Sequence, residues 1–207
     1  MDDAPQCSPD DPPGSLRRRL SQLIVSQLVL GAGVALLLDS QLGSDGFSMF
    51  VNGARLTLGV PFVVINTVVS LTLIAIAWVR GRRPGLGTLT HAVVVGTTVS
   101  LLLPVLPGPD VTTVRVLELL LAFVALSVGV AAYVAVDLGA GPLEAAALSM
   151  DPPLRFGVAY TLLQLAGAVA GWSMGADVGA GTVLVVLCVG PVVDRLTPVF
   201  KPGTGGT

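Results

Sequence analysis

The hexapeptide DLGAGP, residues 137–142, decides how this chain is read, because it interrupts two long apolar runs with polar and glycine residues. A similar phrase, SQLGSD, occupies residues 40–45 and again separates two apolar runs. Shifted by 96 residues, Gly33-Val34-Ala35 falls on Gly129-Val130-Ala131 and Leu42-Gly43 falls on Leu138-Gly139. At an offset of 94 the register continues. Gly85, Gly87 and Thr88 meet Gly179, Gly181 and Thr182, and Pro104-Val105 meets Pro198-Val199. The interruption occurs twice because the unit that carries it occurs twice.

The composition outside these joints identifies the solvent. Of the 207 residues 53% are hydrophobic and 12% charged, and mean hydropathy is +0.84. A soluble domain carries about 25% charged residues, so too few are present to cover a surface facing water. A bilayer core of about 30 Å takes roughly 20 apolar residues as helix. Six stretches qualify: 20–38, 58–79, 88–106, 113–136, 156–174 and 180–200. None shows the ten-residue alternation of a β-barrel strand. The fold class predicted is all-α: a polytopic membrane protein with six transmembrane helices in two three-helix repeats, residues 16–106 and 113–200.

Three spans per repeat is an odd number. The second repeat is therefore expected to enter the membrane from the opposite side, inverted about an axis in the membrane plane. With the amino terminus in the cytoplasm, nine basic residues lie inside (Arg17, Arg18, Arg19, Arg80, Arg82, Arg83, Arg155, Arg195, Lys201) and only Arg55 and Arg115 outside. That bias puts both termini in the cytoplasm. The acidic, proline-rich residues 1–15 read as a disordered cytoplasmic tail and 201–207 as a flexible one. The first span follows Arg17-Arg18-Arg19 and is too long for the apolar region of a signal peptide, so it is expected to remain uncleaved. Arg outnumbers Lys ten to one and Ala, Val, Gly and Leu dominate, a bacterial pattern that points to the plasma membrane.

Each joint is followed by a stretch too short to span, GFSMFVNGARL (46–56) and PLEAAALSM (142–150). Ser44 or Asp45 suits the cap of the first, Gly141 that of the second, and Pro142 a first helical position. The plainer expectation is that both lie flat at the interface as linkers. The functional alternative is two half-helices that dip toward the midplane and aim their positive ends at an anionic or polar solute.

The LG-containing turn after the first span, GRRPGLGT before the third, DLGAGP after the fourth and GAGT before the sixth together resemble the YczE-like (YczE/YyaS/YitT) bacterial membrane proteins. The resemblance covers all but the tails and implies fold and location rather than mechanism. Relatives often carry Trp or Asp shortly after the joint proline, where this chain has Leu143 and Glu144, and its first joint has Gly46 opposite Pro142.

Candidate chemistry is sparse. Gly85, Gly87, Gly179 and Gly181 are expected to form tight turns where helices start, with Thr88 and Thr182 as N-caps. Leu42, Gly43, Leu138, Gly139, Gly141 and Pro142 form the joints. Gly167 and Gly171 have the spacing of close helix packing. Polar groups are costly in hydrocarbon, so Asn66, His91 and Gln164, with Asp137 and Glu144 at the second joint, are the candidate solute-facing residues. Glu118 and Arg115, three apart, are expected to pair as an interfacial anchor. Cys7 and Cys188 are too differently placed to pair, and no cofactor, metal set, nucleotide loop or nucleic-acid stripe is encoded. A rhomboid-type protease would need GxSG, but the chain has GFSM, and no enzyme is expected. The partners expected are the lipid bilayer, a small-molecule solute, and a second copy or another membrane protein. The function indicated is a small-solute transporter or permease-like protein, with a non-transporting membrane accessory or scaffold as the alternative.

Overall fold

The computed structural model describes residues 15–150 and 153–201, so the predicted tails, with Cys7, fall outside the described residues except at Ser15 and Lys201. All regular structure within those bounds is helical. In chain order the elements are α1 (Ser15–Asp39), α2 (Gly46–Leu58), α3 (Phe62–Val79), α4 (Leu86–Leu102), α5 (Thr112–Val134), α6 (Pro142–Ser149), α7 (Phe156–Ser173), α8 (Ala180–Leu184) and α9 (Gly190–Phe200). A 3-10 turn, Leu103–Val105, ends α4, and a π-helical turn, Val185–Val189, joins α8 to α9.

Five helices are long and apolar enough to cross a bilayer: Leu16–Asp39, Phe62–Val79, Leu86–Val105, Thr112–Val134 and the combined Ala180–Phe200. The sixth expected span, α7, has 18 residues but is not among them. Tyr160, Thr161 and Gln164, with Gly157, Gly167 and Gly171, dilute its apolarity. Exposed aliphatic side chains run along the spans, including Leu121, Val124, Val169 and Leu187. In water such a surface would drive aggregation. It suits hydrocarbon.

The second span was expected from Leu58. It starts at Phe62 instead, because Gly59 caps α2 in the left-handed conformation (φ 65°) and Pro61 follows. This is the ordinary αL helix stop with a proline after it.

The centre of the fold is the packing of α1 on α5. Small residues permit it from both sides. A Cβ on Gly33 would lie 3.0 Å from the Ala125 Cβ and the Leu126 nitrogen, and one on Gly129 would lie 2.9 Å from the Leu30 nitrogen. Lipid offers no hydrophobic drive for helix association, so this close approach is the main source of contact energy. Further along α1, polar side chains satisfy carbonyls that helix ends leave orphaned. Arg19 donates to the Val136 carbonyl at 2.8 Å, and Gln22 donates to those of Ala132 at 3.1 Å and Phe200 at 2.9 Å.

Around this pair α2 packs on α7, and α6 packs on α3. Both short helices bury one side: Met49, Val51, Asn52 and Ala54 in α2, and Leu143, Ala146 and Ala147 in α6. Both are thus packed into the helical body along one side. Gly167 and Gly171 give the close helix packing that their spacing implies, and the helix they admit is α2, since a Cβ at either would strike the Gly46 or Met49 backbone. In the last span, Pro191 at the second position of α9 has no N–H to donate. The adjacent π turn and the internal Pro198 leave its hydrogen-bond ladder interrupted twice.

Candidate functional site

Each joint is clasped to the start of a distant helix by a backbone hydrogen bond. The Gly87 N–H donates to the Leu138 carbonyl at 2.7 Å, and the Gly181 N–H donates to the Leu42 carbonyl at 2.7 Å. Left-handed residues shape both joints: Gln41 at φ 55° and Gly43 at 92°, Asp137 at 54° and Gly139 at 122°. Asp tolerates this region better than most side chains, and Gly carries no Cβ penalty there. Side chains would not fit at the crossing, because a Cβ on Gly85 would lie 2.4 Å from the Leu138 carbonyl oxygen if nothing moved, and one on Gly179 2.6 Å from that of Leu42.

The threonines were expected to be N-caps. The caps are Gly85 and Gly179, three residues earlier, so Thr88 and Thr182 fall in the first helical turn. The hydroxyl of Thr88 is instead spent across the joint, donating to the Ala140 carbonyl at 2.6 Å, while that of Thr182 lies 3.8 Å from the Met49 sulfur. Gly141 caps α6, with Pro142 at its first position, and Asp45 caps α2.

Each short helix has a carboxylate at its start, Asp45 as the N-cap of α2 and Glu144 on the first turn of α6, and the charge of Asp45 reaches Glu144. Asp45 accepts from the Ser48 N–H at 3.0 Å. The neighbouring Phe47 N–H donates to Gln164 Oε1 at 3.1 Å, so α7 completes the cap. Gln164 then donates through Nε2 to the Tyr160 hydroxyl at 3.0 Å. On α6 Glu144 turns back toward its own first turn, against Gly141, where the buried Tyr133 hydroxyl also lies. Negative charge is favoured at both places by the orphan N–H groups and the helix dipole. Burial pushes both carboxyls above the usual carboxylate range, and for Glu144 the nearby Asp45 charge adds to the rise. His91 of α4 packs edge-on against Tyr133, with ring centroids 5.6 Å apart. Its Nδ1 is buried without a hydrogen-bond partner.

The structure therefore brings together three of the five solute-facing candidates, His91, Glu144 and Gln164, around Asp45, Tyr133 and Tyr160. Asn66 and Asp137 lie apart. Asn66 is buried between helices and donates to the Ala92 carbonyl at 2.7 Å, with Gly96 small enough to admit it. Asp137 is exposed in its turn. The half-helix ends do not wait for an anionic solute, because the chain's own carboxylates already occupy them. Arg115 and Glu118 do not pair either. Arg115 donates to the Pro109 carbonyl at 2.7 Å and to Gln41 Oε1 at 3.0 Å, while Glu118 Oε2 is buried without a hydrogen-bond partner. Among the described residues no group of three or more His, Cys, Asp or Glu could hold a metal ion.

A small pocket beside the first joint touches Gly43, Ser44, Asn52 and Asp177. Asn52 and Asp177 also line a larger cleft of about 720 Å³ between α2, α3 and the ends of α1 and α4. The cleft's polar wall thus continues to the residue next to Asp45.

No solved structure matches this chain. An uncharacterized protein of Haemophilus influenzae is 25% identical over 179 residues, 86% of this chain and 82% of that one. The uncharacterized membrane protein YczE of Bacillus subtilis is 25% identical over 180 residues, 83% of this chain and 81% of that protein. A family model described as a family of unknown function, DUF6198, matches residues 17–198. Nearly the whole helical body lies within that match, and the chain belongs to this YczE-like family of membrane proteins.

Proposed function

We propose that the chain is a carrier for a small solute in the bacterial plasma membrane, built from two inverted three-helix halves with both termini in the cytoplasm. The observation that carries this reading is the convergence of α2 and α6. The N-cap carboxylate of α2, Asp45, and the first-turn carboxylate of α6, Glu144, lie near enough to feel each other's charge, among Tyr133, Tyr160 and Gln164. Broken helices meeting at the join of two repeats are how many secondary transporters build their solute and ion sites. Two carboxyls that interact at the starts of neighbouring elements favour holding a proton or a cation between them. The ion or solute handled here is accordingly cationic or proton-linked.

The inverted repeat is supported by contacts that recur with their partners exchanged. Gly33 faces Leu126, and Gly129 faces Leu30. Gly87 bonds Leu138, and Gly181 bonds Leu42. The short helix of each half packs on the long helix that follows the short helix of the other. Trp78 and Trp172, 94 residues apart, are both exposed at the C-terminal ends of their helices. Opposed halves would place the two indoles at opposite interfaces, where Trp is enriched.

The test uses the full chain in proteoliposomes containing a pH-sensitive dye, challenged with amino acids, organic acids, amines and alkali cations under an imposed proton gradient. Flux that disappears in Asp45→Asn and Glu144→Gln supports the carrier. Absence of flux for every probe, together with a stoichiometric membrane partner recovered in mild detergent, supports the accessory reading instead.

A further inference from the structure

The cleft of about 720 Å³ has a volume within the usual range of small-molecule sites. Its charges are arranged in an uncommon way. Arg55 of α2 is half-buried on the wall, and its Nε donates to Asn52 Oδ1 at 2.9 Å. Asn52 is itself buried and lies one turn earlier on the same helix, so the bond fixes the guanidinium plane. No other partner engages the Arg55 side chain among the described residues, and its two terminal nitrogens stay available. Two carboxylates, Asp39 and Asp177, line the same cleft, but neither forms an ion pair with Arg55. Asp39 is held in place, since both its oxygens lie 3.2 Å from the donating Gly108 N–H. Asp177 is on the exposed side. The remaining wall includes the apolar Phe62 and Leu103.

A cleft with a free guanidinium fork and unneutralised carboxylates is complementary to a molecule that carries both signs. A guanidinium binds a carboxylate or phosphate through paired N–H donors, and a carboxylate accepts from an ammonium group. We propose that this cleft binds a small zwitterion with an apolar side: its anionic group on Arg55, its ammonium toward Asp177 and Asp39, and its apolar part against Phe62 and Leu103. The same chemistry occurs in a free amino acid and in a phosphatidylethanolamine headgroup. Binding at the cleft stands independently of whether the chain transports.

The experiment measures binding to lipid-stripped protein in detergent, using leucine, isovalerate (its anionic half), isopentylamine (its cationic half) and glycerophosphoethanolamine. A second arm compares thermal stability in nanodiscs of phosphatidylethanolamine and of phosphatidylglycerol. Leucine or glycerophosphoethanolamine should bind, with both half-molecules weaker by about tenfold or more. Arg55→Gln should weaken binding about ten- to a hundredfold, as expected when a charged hydrogen-bond partner is removed. Arg55→Lys keeps the charge without the fork and should fall between them. Stabilisation by phosphatidylethanolamine alone, lost in Arg55→Gln, assigns the site to lipid. Leucine binding without flux in proteoliposomes leaves this proposal standing and removes the carrier. Isovalerate binding as tightly as leucine, unchanged affinity in Arg55→Gln by a variant that elutes as a folded protein, or no response from any probe overturns it.

Discussion

Gly181 donates its backbone N–H to the carbonyl of Leu42 at 2.7 Å, across 139 residues of chain, at a crossing with no room for a side chain on the glycine. A Cβ at Gly181 would lie 2.5 Å from the Gly43 carbonyl oxygen, whereas one at Gly87 would lie 3.0 Å from those of Gly139 and Leu138. Both neighbours are backbone and yield little. Gly181→Ala should cost about 1–3 kcal/mol, as overpacking does, and Gly87→Ala should cost less. Thermal unfolding in detergent measures the order, and the reverse order would refute this account of the clasp.

Gly190 gives the opposite sign. It lies within the last span with helical dihedrals, and a Cβ there meets nothing within 4 Å. Gly190→Ala should stabilise by about 0.5–1 kcal/mol through the lost freedom of the unfolded chain. Gly129→Ala, where the Cβ would press on Leu30, should destabilise in the same assay.

Gln164 is predicted to matter for stability before it matters for any solute. Gln164→Leu orphans the part-buried Phe47 N–H and leaves the Tyr160 hydroxyl without its donor, a cost of about 1–3 kcal/mol. Asp45→Ala should cost about 0.5–2 kcal/mol, and Asp45→Asn much less, because Asn caps as well as Asp. Equal losses for the Ala and Asn variants would mean that charge, not capping, holds the start of α2.

The raised carboxyls of Asp45 and Glu144 set a direction for pH. An acid whose folded pKa lies above its unfolded value binds more protons in the folded state. The stability it contributes is present at low pH and is lost as pH rises through the folded pKa. The melting temperature in detergent should therefore fall as pH rises above the normal carboxylate range, and Glu144→Gln should flatten the slope. A slope of the opposite sign would remove the buried-carboxyl reading.

Orientation is tested by reporter fusions. Asp110, between α4 and α5, should report outside the cell and Lys201 inside. A shared side for the two positions would overturn the inverted arrangement.

Much of the fold was legible because apolar length and glycine–proline punctuation are local signals. Pro61, Gly59 and Pro142 each mark a boundary through their own backbone chemistry, although Gly59 and Pro61 were read as part of a span. The site was legible only in part. Asp45 could be read as a cap, but not as the neighbour of Glu144, since 99 residues of chain separate them. Tyr133 and Tyr160 lie in helices where aromatic residues are ordinary, and only the fold sets the Tyr133 hydroxyl against Gly141 of the joint. Thr88 and Thr182 misled for a related reason. A threonine beside a glycine turn is the local pattern of a cap, but Gly85 starts its helix from extended backbone (φ −84°, ψ 170°) and frees the hydroxyl for tertiary use.

The last span contains a π turn, Val185–Val189, and two prolines within 21 residues, and little of it is buried against the rest of the chain. Its carbonyl ladder is already open at two levels, so bending there breaks few further bonds. It is the helix that can pivot most cheaply, and labels on it would register rearrangement earlier than labels on the α1–α5 crossing.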